Sequence, residues 1–319
     1  MAVVDRASFL IDTMASRLRP IRDGLLLVGL YYSTKWTCKT LWSLYKGFKT
    51  YGLPQIWPRN FVQEYGQWAI VTGASKGIGK SYAYELAKRG LNLVLIARSE
   101  DLLMEISKDL QELHQVSVEI IVGDMSQKEI FDKIEAGIKG KDIGILVNNA
   151  GIGMEPMVLS KMEQDRMQQM IMVNVYALTH LTKMILPGLV VKKKGAIINV
   201  SSMASLVPHG LLSVYSGSKA FVTSFSRGLQ QEYASKNITI QCLVPGAVNT
   251  DMLSMIDNDQ VTPGVPSPDA YASSALRTLG FSNYTCGHWL HSLQSTLFLE
   301  QVSPFIVFHF IKLFANKEE

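Results

Sequence analysis

Charged residues are scarce in this sequence of 319 residues, where they make up 18% against about 25% in an ordinary globular domain. Hydrophobic residues reach 47%. That share excludes a disordered or fibrous chain, because such chains are poor in Leu, Ile, Val and Phe. The shortage of charge predicts that part of the surface does not face water. The length allows one α/β domain with appended ends.

Cysteine is scarce as well, since Cys38, Cys242 and Cys286 are far apart and form no CxxC pair. This spacing excludes a disulfide framework and predicts a reducing, cytosol-facing environment for the body of the protein. His288 and His291 stand one helical turn apart, but the sequence contains no HExxH motif. We therefore expect no bound metal.

The front end lacks a long apolar run. Gly24–Tyr32 is apolar over only nine residues, whereas a membrane-spanning helix needs about 20. Residues 1–60 hold nine Lys or Arg against three acids, which gives +6 and leaves −2 for residues 61–319. A near-neutral body with a basic front end excludes a nucleic-acid-binding protein, which would need a basic face on the body. The pattern favours contact of segment 1–60 with an anionic membrane surface.

Lysines and aromatic residues alternate after this run. Lys35, Lys39, Lys46 and Lys49 are interleaved with Trp, Tyr, Leu and Phe, which is typical of an amphipathic helix at a membrane interface. Two alternatives stay open: a short tilted helix inserted in the membrane, and an amphipathic helix packed on the body.

From residue 68 onward, short apolar runs alternate with longer amphipathic stretches. The runs predict strands buried on both faces, at Trp68–Thr72, Leu91–Ala97, Val118–Val122, Ile143–Asn148, Ala196–Ser201 and Ile238–Val244. The stretches predict helices at Ile78–Arg89, Asp101–His114, Gln127–Ile138, Glu163–Val191 and Val214–Ser235. Strict alternation predicts a single Rossmann-type α/β domain, a doubly wound parallel sheet with helices on both faces.

The first strand runs directly into the glycine-rich segment Thr72–Gly79, which reads TGASKGIG, and then into a helix. Glycines at 73, 77 and 79 permit a tight turn and let backbone N–H groups approach a pyrophosphate at the helix N-terminus. We therefore predict a dinucleotide site at this loop.

Arg98 directly follows the second strand. At this position a dinucleotide fold usually has an acid, which binds the ribose 2′-hydroxyl. An arginine would instead pair with a 2′-phosphate, and Lys76 adds a second cation in the glycine loop. The sequence thus favours NADP(H) over NAD(H). The alternative is that Arg98 is a solvated residue at a helix start.

Asp124 and Asn149 follow the third and fourth strands, where open α/β sheets bind ligands.

Ser202, Tyr215 and Lys219 form the strongest chemical pattern. Tyr215 and Lys219 are four residues apart, so on a helix they share one face. A phenol needs its pKa lowered from about 10 towards 7 or 8 to exchange protons near neutral pH, and a neighbouring ammonium group favours this. Ser202 closes the fifth strand and is expected to hydrogen-bond a carbonyl or alcohol oxygen.

Together these motifs resemble the short-chain dehydrogenase/reductase family over residues 66–280, with TGxxxGxG, NNAG, a mid-chain Asn, Ser, YxxxK and PGxVxT in order. The resemblance implies a catalytic set of Asn174, Ser202, Tyr215 and Lys219, with Asn174 holding a proton-relay water. It implies a cofactor-binding set of Gly73, Ser75, Lys76, Gly77, Ile78, Gly79, Arg98, Asp124, Asn149, Tyr215, Lys219, Pro245, Gly246, Val248 and Thr250.

Within the family, the chain resembles the branch of 17β-hydroxysteroid dehydrogenases, very-long-chain 3-oxoacyl-CoA reductases and hydroxysteroid dehydrogenase-like proteins. The segments Tyr65–Ala69, Gly77–Tyr82 and Gly144–Asn149 carry this resemblance. It implies attachment to the endoplasmic-reticulum membrane with the catalytic domain facing the cytosol; a mitochondrial or cytoplasmic location is the alternative. Some hydroxysteroid dehydrogenase-like proteins have Phe at the catalytic tyrosine and are regarded as inactive, whereas Tyr215 is present here.

The expected function is therefore NADPH-dependent reduction of a lipophilic ketone, of the steroid 17-keto or 3-oxoacyl-CoA type, or the reverse alcohol oxidation. The alternative is a catalytically silent cofactor-binding scaffold.

We divide the chain into a membrane-associated segment 1–60, an NADP-binding catalytic domain 61–255, and a substrate lid with an apolar C-terminal extension 256–319. Analogy with the family suggests a homodimer formed through the helices predicted at 163–191 and 214–235.

Overall fold

The computed structural model describes residues 2–254 and 265–296. Half of the segment 256–319, which is expected to hold the lid and the apolar extension, lies outside the described residues, including Phe298, Phe305, Phe308 and Phe310. The chain divides into two compact units, Met1–Lys49 and Thr50–Glu319.

The described part of the second unit contains one seven-stranded, entirely parallel sheet, which confirms the predicted Rossmann-type fold. Its strands are β1 Trp68–Thr72, β2 Asn92–Ala97, β3 Val118–Val122, β4 Ile143–Asn148, β5 Ala196–Val200, β6 Thr239–Leu243 and β7 Tyr284–Thr285. Their spatial order is β3-β2-β1-β4-β5-β6-β7. The chain reverses its direction of winding between β1 and β4, so a ligand crevice is expected at the carboxyl ends of these two strands.

Helices cover both faces of the sheet, as predicted. The helices of the described residues are α1 Ala2–Gly47, α2 Leu53–Ile56, α3 Phe61–Glu64, α4 Gly77–Ala87, α5 Glu100–His114, α6 Glu129–Ile138, α7 Gln164–Ile171, α8 Leu178–Lys192, α9 Ser213–Glu232, α10 Asp251–Ser254, α11 Pro268–Arg277 and α12 Trp289–Gln294, of which α1 belongs to the first unit. Alternate residues of each strand face opposite sides. Accordingly, Val71 belongs to the core beneath α4, α5 and α11, while Ile70 belongs to the core beneath α6, α8 and α9.

One predicted helix differs from the structure. The stretch expected as a single helix over Glu163–Val191 is divided into α7 and α8 by a π-helical turn, Met172–Ala177. Asn174 lies in this turn, and its side chain hydrogen-bonds both the N–H and the C=O of Ile152. The wider turn is consistent with the frequent location of π-bulges at functional sites.

The first unit is dominated by the single long helix α1. Its large apolar side chains between residues 25 and 45 are 52–70% exposed. At 3.6 residues per turn, the apolar run Gly24–Tyr32 occupies the whole circumference of the helix, and the amphipathic character predicted for the lysine- and aromatic-rich stretch after it stays a prediction. Within residues 2–254 and 265–296, no helix combines the length and apolar character needed to cross a membrane.

Candidate active site

The glycine loop between β1 and α4 forms a cradle of backbone groups. Gly73 and Gly77 have φ angles of +65° and +54°, in the left-handed region that favours glycine. A Cβ on Gly79 would overlap the carbonyl oxygen of Gly73. The N-cap residue Lys76 gives no side-chain hydrogen bond to the first turn of α4. The N-terminus of α4 therefore suits an anionic group.

Asn149 joins this loop to the fourth strand across the crevice. Its Nδ2 donates to the carbonyl oxygens of Thr72 at 3.0 Å and Gly73 at 3.3 Å. The Thr72 hydroxyl accepts from the backbone N–H groups of Asn149 and Ala150 and donates to Val147. These bonds fix the carboxyl ends of β1 and β4 together.

The two cations expected near a 2′-phosphate each have a carboxylate partner. Arg98 lies 3.8 Å from Asp124, and Lys76 lies 2.9 Å from Asp251. The Arg98 side chain is 74% exposed, so its ion pair is weak and the guanidinium is accessible to a second anion. Asp124 also accepts from the N–H of Ser126 at 2.8 Å.

The predicted Ser, Tyr and Lys come together beside the carboxyl end of β5. Tyr215 and Lys219 lie on α9, with the Lys219 Nζ 5.9 Å from the centroid of the Tyr215 ring. The Nζ donates to the carbonyl oxygen of Val200 at 3.0 Å, which holds the lysine against the end of the strand. Ser202 follows β5, and its hydroxyl is a hydrogen-bonding neighbour of the Tyr215 phenol.

Asn174 lies close to the same lysine. A Cβ built on Gly151 would lie 3.3 Å from the Lys219 Nζ and 3.5 Å from the Asn174 Oδ1, so both polar groups border one small space. Asn174 is almost fully buried and also donates to the Ser218 hydroxyl at 3.0 Å. No direct hydrogen bond between Asn174 and Lys219 is seen among the described residues.

Burial governs the protonation of this cluster. It raises the pKa of Tyr215, while the Ser202 hydroxyl acts in the opposite direction. Burial also lowers the pKa of Lys219 to about 8. The lowering of the phenol pKa by Lys219 stays a prediction: the Lys219 Nζ lies 5.9 Å from the centroid of the Tyr215 ring, and burial acts in the opposite direction.

The segment Pro245–Thr250 borders both halves of the site. The Pro245 carbonyl oxygen accepts from the N–H of Met203, next to Ser202, at 2.8 Å. A Cβ built on Gly77 would lie 3.1 Å from the Thr250 methyl group. Val248 is buried in the core. This loop therefore bridges the serine and the glycine loop.

Sequence reasoning missed His291, which is almost fully buried on α12. Its ring hydrogen-bonds the Gly246 N–H and the Ala247 carbonyl oxygen. Both partners are backbone groups more than forty residues earlier in the chain, so no local pattern signals the contact.

Comparison with known proteins identifies relatives of the whole chain. A human protein named inactive hydroxysteroid dehydrogenase-like protein 1 is 39% identical over 298 residues, covering 92% of this chain and 90% of the relative. A rat very-long-chain 3-oxoacyl-CoA reductase is 37% identical over 288 residues, covering 88% of this chain and 89% of the relative.

Among solved structures, a short-chain dehydrogenase from Sphingobium yanoikuyae in complex with NADPH superposes with a TM-score of 0.62 and 32% identity, covering 66% of this chain and 83% of the other. The family described as short chain dehydrogenase matches residues 67–261, which contain the glycine loop and the Ser-Tyr-Lys cluster. The chain therefore belongs to the short-chain dehydrogenase family.

Proposed function

We propose that this protein is an NADPH-dependent reductase of lipophilic ketones, or catalyses the reverse alcohol oxidation. The observation that carries the proposal is the convergence of Ser202, Tyr215 and Lys219 beside Pro245–Thr250, which in turn contacts the glycine loop. A proton donor and a dinucleotide cradle thus adjoin the same loop.

The residues present fit a dinucleotide. A helix N-terminus without a side-chain cap, preceded by glycines that leave no room for a Cβ, suits a pyrophosphate. The exposed Arg98 and Lys76 favour a 2′-phosphate and hence NADP(H). The NADPH complex of the Sphingobium relative supports the same choice.

The nicotinamide of the cofactor would supply the hydride, and the protein would supply the proton. Tyr215 donates its phenolic proton to the developing alkoxide, and the Ser202 hydroxyl hydrogen-bonds the same oxygen. Because burial raises the pKa of Tyr215, the phenol is protonated at neutral pH, which is the form that reduction requires. Lys219 holds positive charge beside the phenol, and Asn174 positions a proton-relay water.

A lipophilic substrate is supported by the relatives. The rat relative is named for reduction of very-long-chain 3-oxoacyl-CoA, and the human one for its likeness to hydroxysteroid dehydrogenases. We accordingly propose a steroid 17-ketone or a 3-oxoacyl-CoA, with residues 256–319 contributing a lid and an apolar extension.

A second candidate function is a cofactor-binding scaffold without turnover. The human relative at 39% identity is named inactive. Tyr215 and Lys219 argue for the enzyme, because a scaffold has no need of a buried lysine beside a tyrosine.

A substrate screen separates the two candidates. Oxidation of NADPH and of NADH is followed with the purified full-length protein and a panel of ketosteroids, 3-oxoacyl-CoAs and retinal. The enzyme predicts NADPH oxidation with at least one lipophilic ketone. Tight NADPH binding without oxidation across the whole panel would contradict the enzyme and support the scaffold.

Segment 1–60 is proposed to attach the protein to a membrane, in the first instance that of the endoplasmic reticulum. The exposed apolar residues of α1 support this, as do Lys35 over the Tyr31 ring and Lys46 over the Trp42 ring, a pairing suited to the headgroup region. Membrane fractions are extracted with high salt and then with detergent. The proposal predicts release by detergent, and release of the full-length protein by salt alone would contradict an inserted helix.

A homodimer through α7 and α9 is proposed by family analogy. Met167 and Ile171 on α7 and Phe221 on α9 are exposed, and Phe221 stacks on Phe225 with ring centroids 5.8 Å apart. An apolar patch of this kind is typical of an interface. Light scattering in detergent tests it: the proposal predicts twice the chain mass for the wild type and the monomer mass for Phe221→Glu.

A further inference from the structure

His291 hydrogen-bonds two peptide groups of the loop after β6, Pro245–Gly246 and Ala247–Val248. The Gly246 N–H donates to its Nδ1 at 3.3 Å, and its Nε2 lies 2.8 Å from the Ala247 carbonyl oxygen. One side chain therefore constrains the peptide groups that flank the Gly246–Ala247 segment. The same loop binds the Ser202 side of the site through Met203 and contacts the glycine loop through Thr250.

The two bonds define the form of the imidazole. Because the Gly246 N–H can only donate, Nδ1 must be the unprotonated nitrogen. Nε2 then carries the hydrogen and donates to Ala247. Burial lowers the pKa of His291 to about 4, so the ring stays neutral and keeps this arrangement throughout the neutral range.

The loop is also packed tightly against the ring. A Cβ on Gly246 would lie 3.0 Å from the His291 Cδ2 and 3.2 Å from the Met203 Sδ. The glycine is thus enclosed between the imidazole and the segment that carries Ser202. A displaced ring would leave the peptide at Gly246 free to rotate.

Contacts of neighbouring residues hold α12, and with it His291, in place. The Tyr51 hydroxyl lies 2.6 Å from the Ser292 hydroxyl and 2.9 Å from that of Thr285 on β7. This ties α12 to the edge strand of the sheet. The Tyr271 and His288 rings lie with their centroids 5.7 Å from that of His291 and fill the remaining space.

We propose that His291 is a positioning residue that fixes the Gly246–Ala247 backbone, and through it the nicotinamide half of bound NADP(H). The inference rests on the proposed function, because it assumes that the loop after β6 faces the nicotinamide. It predicts no effect of His291 on the binding of the adenine half, which the glycine loop and Arg98 would hold.

Three substitutions test the two hydrogen bonds: two of them remove one bond each, and the third removes both. The Asn in His291→Asn places an oxygen near the Nδ1 position and keeps the acceptor for Gly246. The Gln in His291→Gln places an amide nitrogen near the Nε2 position and keeps the donor to Ala247. His291→Leu keeps neither. His114→Gln, at the end of α5, is the matched control.

Two probes distinguish the halves of the cofactor: NADPH, followed by its dihydronicotinamide fluorescence, and 2′,5′-ADP, which lacks the nicotinamide. We expect NADPH affinity to fall about 3- to 10-fold in His291→Asn and His291→Gln and about 10- to 100-fold in His291→Leu. Affinity for 2′,5′-ADP should change less than about twofold, and His114→Gln should match the wild type.

The outcomes separate the inference from the function on which it rests. Wild-type NADPH affinity in His291→Leu would overturn the positioning role alone. Equal loss of both probes in all three variants would also overturn it, because that pattern indicates general loss of structure. If the wild type bound neither probe, the proposed function would fail and the inference with it.

Discussion

The two halves of the sheet bury different kinds of side chain. Around β1–β3, the buried polar groups are the hydroxyls of Thr72, Ser81 and Ser107. Around β4–β7, amides and ionisable groups are buried as well, among them Asn148, Asn174, Asn199, Lys219, Gln241 and His291. The first half thus presents mainly backbone groups at the glycine loop, above an apolar core, whereas the second half buries polar side chains.

Buried side chains of this kind need partners to keep them in place. The Asn148 Nδ2 donates to the Asn199 Oδ1 at 2.9 Å, and the Asn199 Nδ2 donates to the Ser226 hydroxyl at 2.9 Å. The Ser201 hydroxyl donates to the Lys219 carbonyl oxygen at 2.8 Å. This network joins β4, β5 and α9 beside Ser202, Tyr215 and Lys219, so that the buried polar groups there hold one another in place.

Tyr215→Phe is expected to give the largest effect. Removing the proton donor should lower turnover by about 10²- to 10⁴-fold, while NADPH affinity stays within about threefold, because the aromatic ring and Lys219 are retained. Steady-state kinetics and fluorescence titration of the same preparation measure the two quantities. Tyr233→Phe, at the far end of α9, is the control. Unchanged ketone reduction by Tyr215→Phe would refute the assignment.

Lys219→Met tests the burial of charge in the second half. The folded-state pKa of about 8 lies below the ordinary 10.5, so between these values the unfolded chain binds more protons and the wild type gains stability as pH rises. Relative to Lys219→Met, the free energy of unfolding should increase by on the order of 2–3 kcal/mol from pH 8 to 10.5 and stay level below pH 8. Urea unfolding at several pH values measures this. Parallel curves for the two proteins would contradict it.

Gly79→Ala tests the backbone cradle of the first half. The added Cβ overlaps the Gly73 carbonyl oxygen, so the loop must shift and NADPH affinity should fall about 10- to 100-fold. In Gly188→Ala, the Cβ meets nothing within 4 Å on α8, and affinity should be unchanged. Equal affinities for the two variants, measured by titration calorimetry, would show that the loop does not bind the cofactor.

Arg98→Ala should have the smallest effect, a loss of about tenfold in the preference for NADPH over NADH. The guanidinium is largely exposed, which limits the strength of its bond to a 2′-phosphate. Lys108→Ala removes a similarly exposed cation that also has a carboxylate partner. If both substitutions lowered the preference for NADPH equally, the effect would come from the overall charge of the protein and not from Arg98.

The sheet could be predicted from sequence because its strands are buried on both faces. The predicted bounds of β1, β3 and β4 match the structure, because apolar residues dominate each run, although β3 includes the exposed Glu119. β7 was missed because Tyr284–Thr285 has only two residues and no apolar run.

Contacts that join distant segments could not be predicted. The pairing of Lys76 with Asp251 and the binding of His291 to Gly246 depend on loops brought together by the fold. The raised pKa of Tyr215 is of the same kind, because burial is set by the surrounding elements rather than by the spacing to Lys219. Local glycine and Tyr-Lys patterns thus locate the site, but they do not give its electrostatics.

The central claim is that the polar half of the sheet completes a hydride transfer for which the apolar half binds the cofactor. Transfer of deuterium tests it most directly. NADPH labelled at nicotinamide C4, on either face in separate reactions, is incubated with the full-length protein and the ketone panel, and the products are analysed by mass spectrometry. An alcohol with one deuterium on the former carbonyl carbon is expected from one of the two labelled cofactors. Saturating NADPH binding with no deuterated alcohol from any ketone would contradict it.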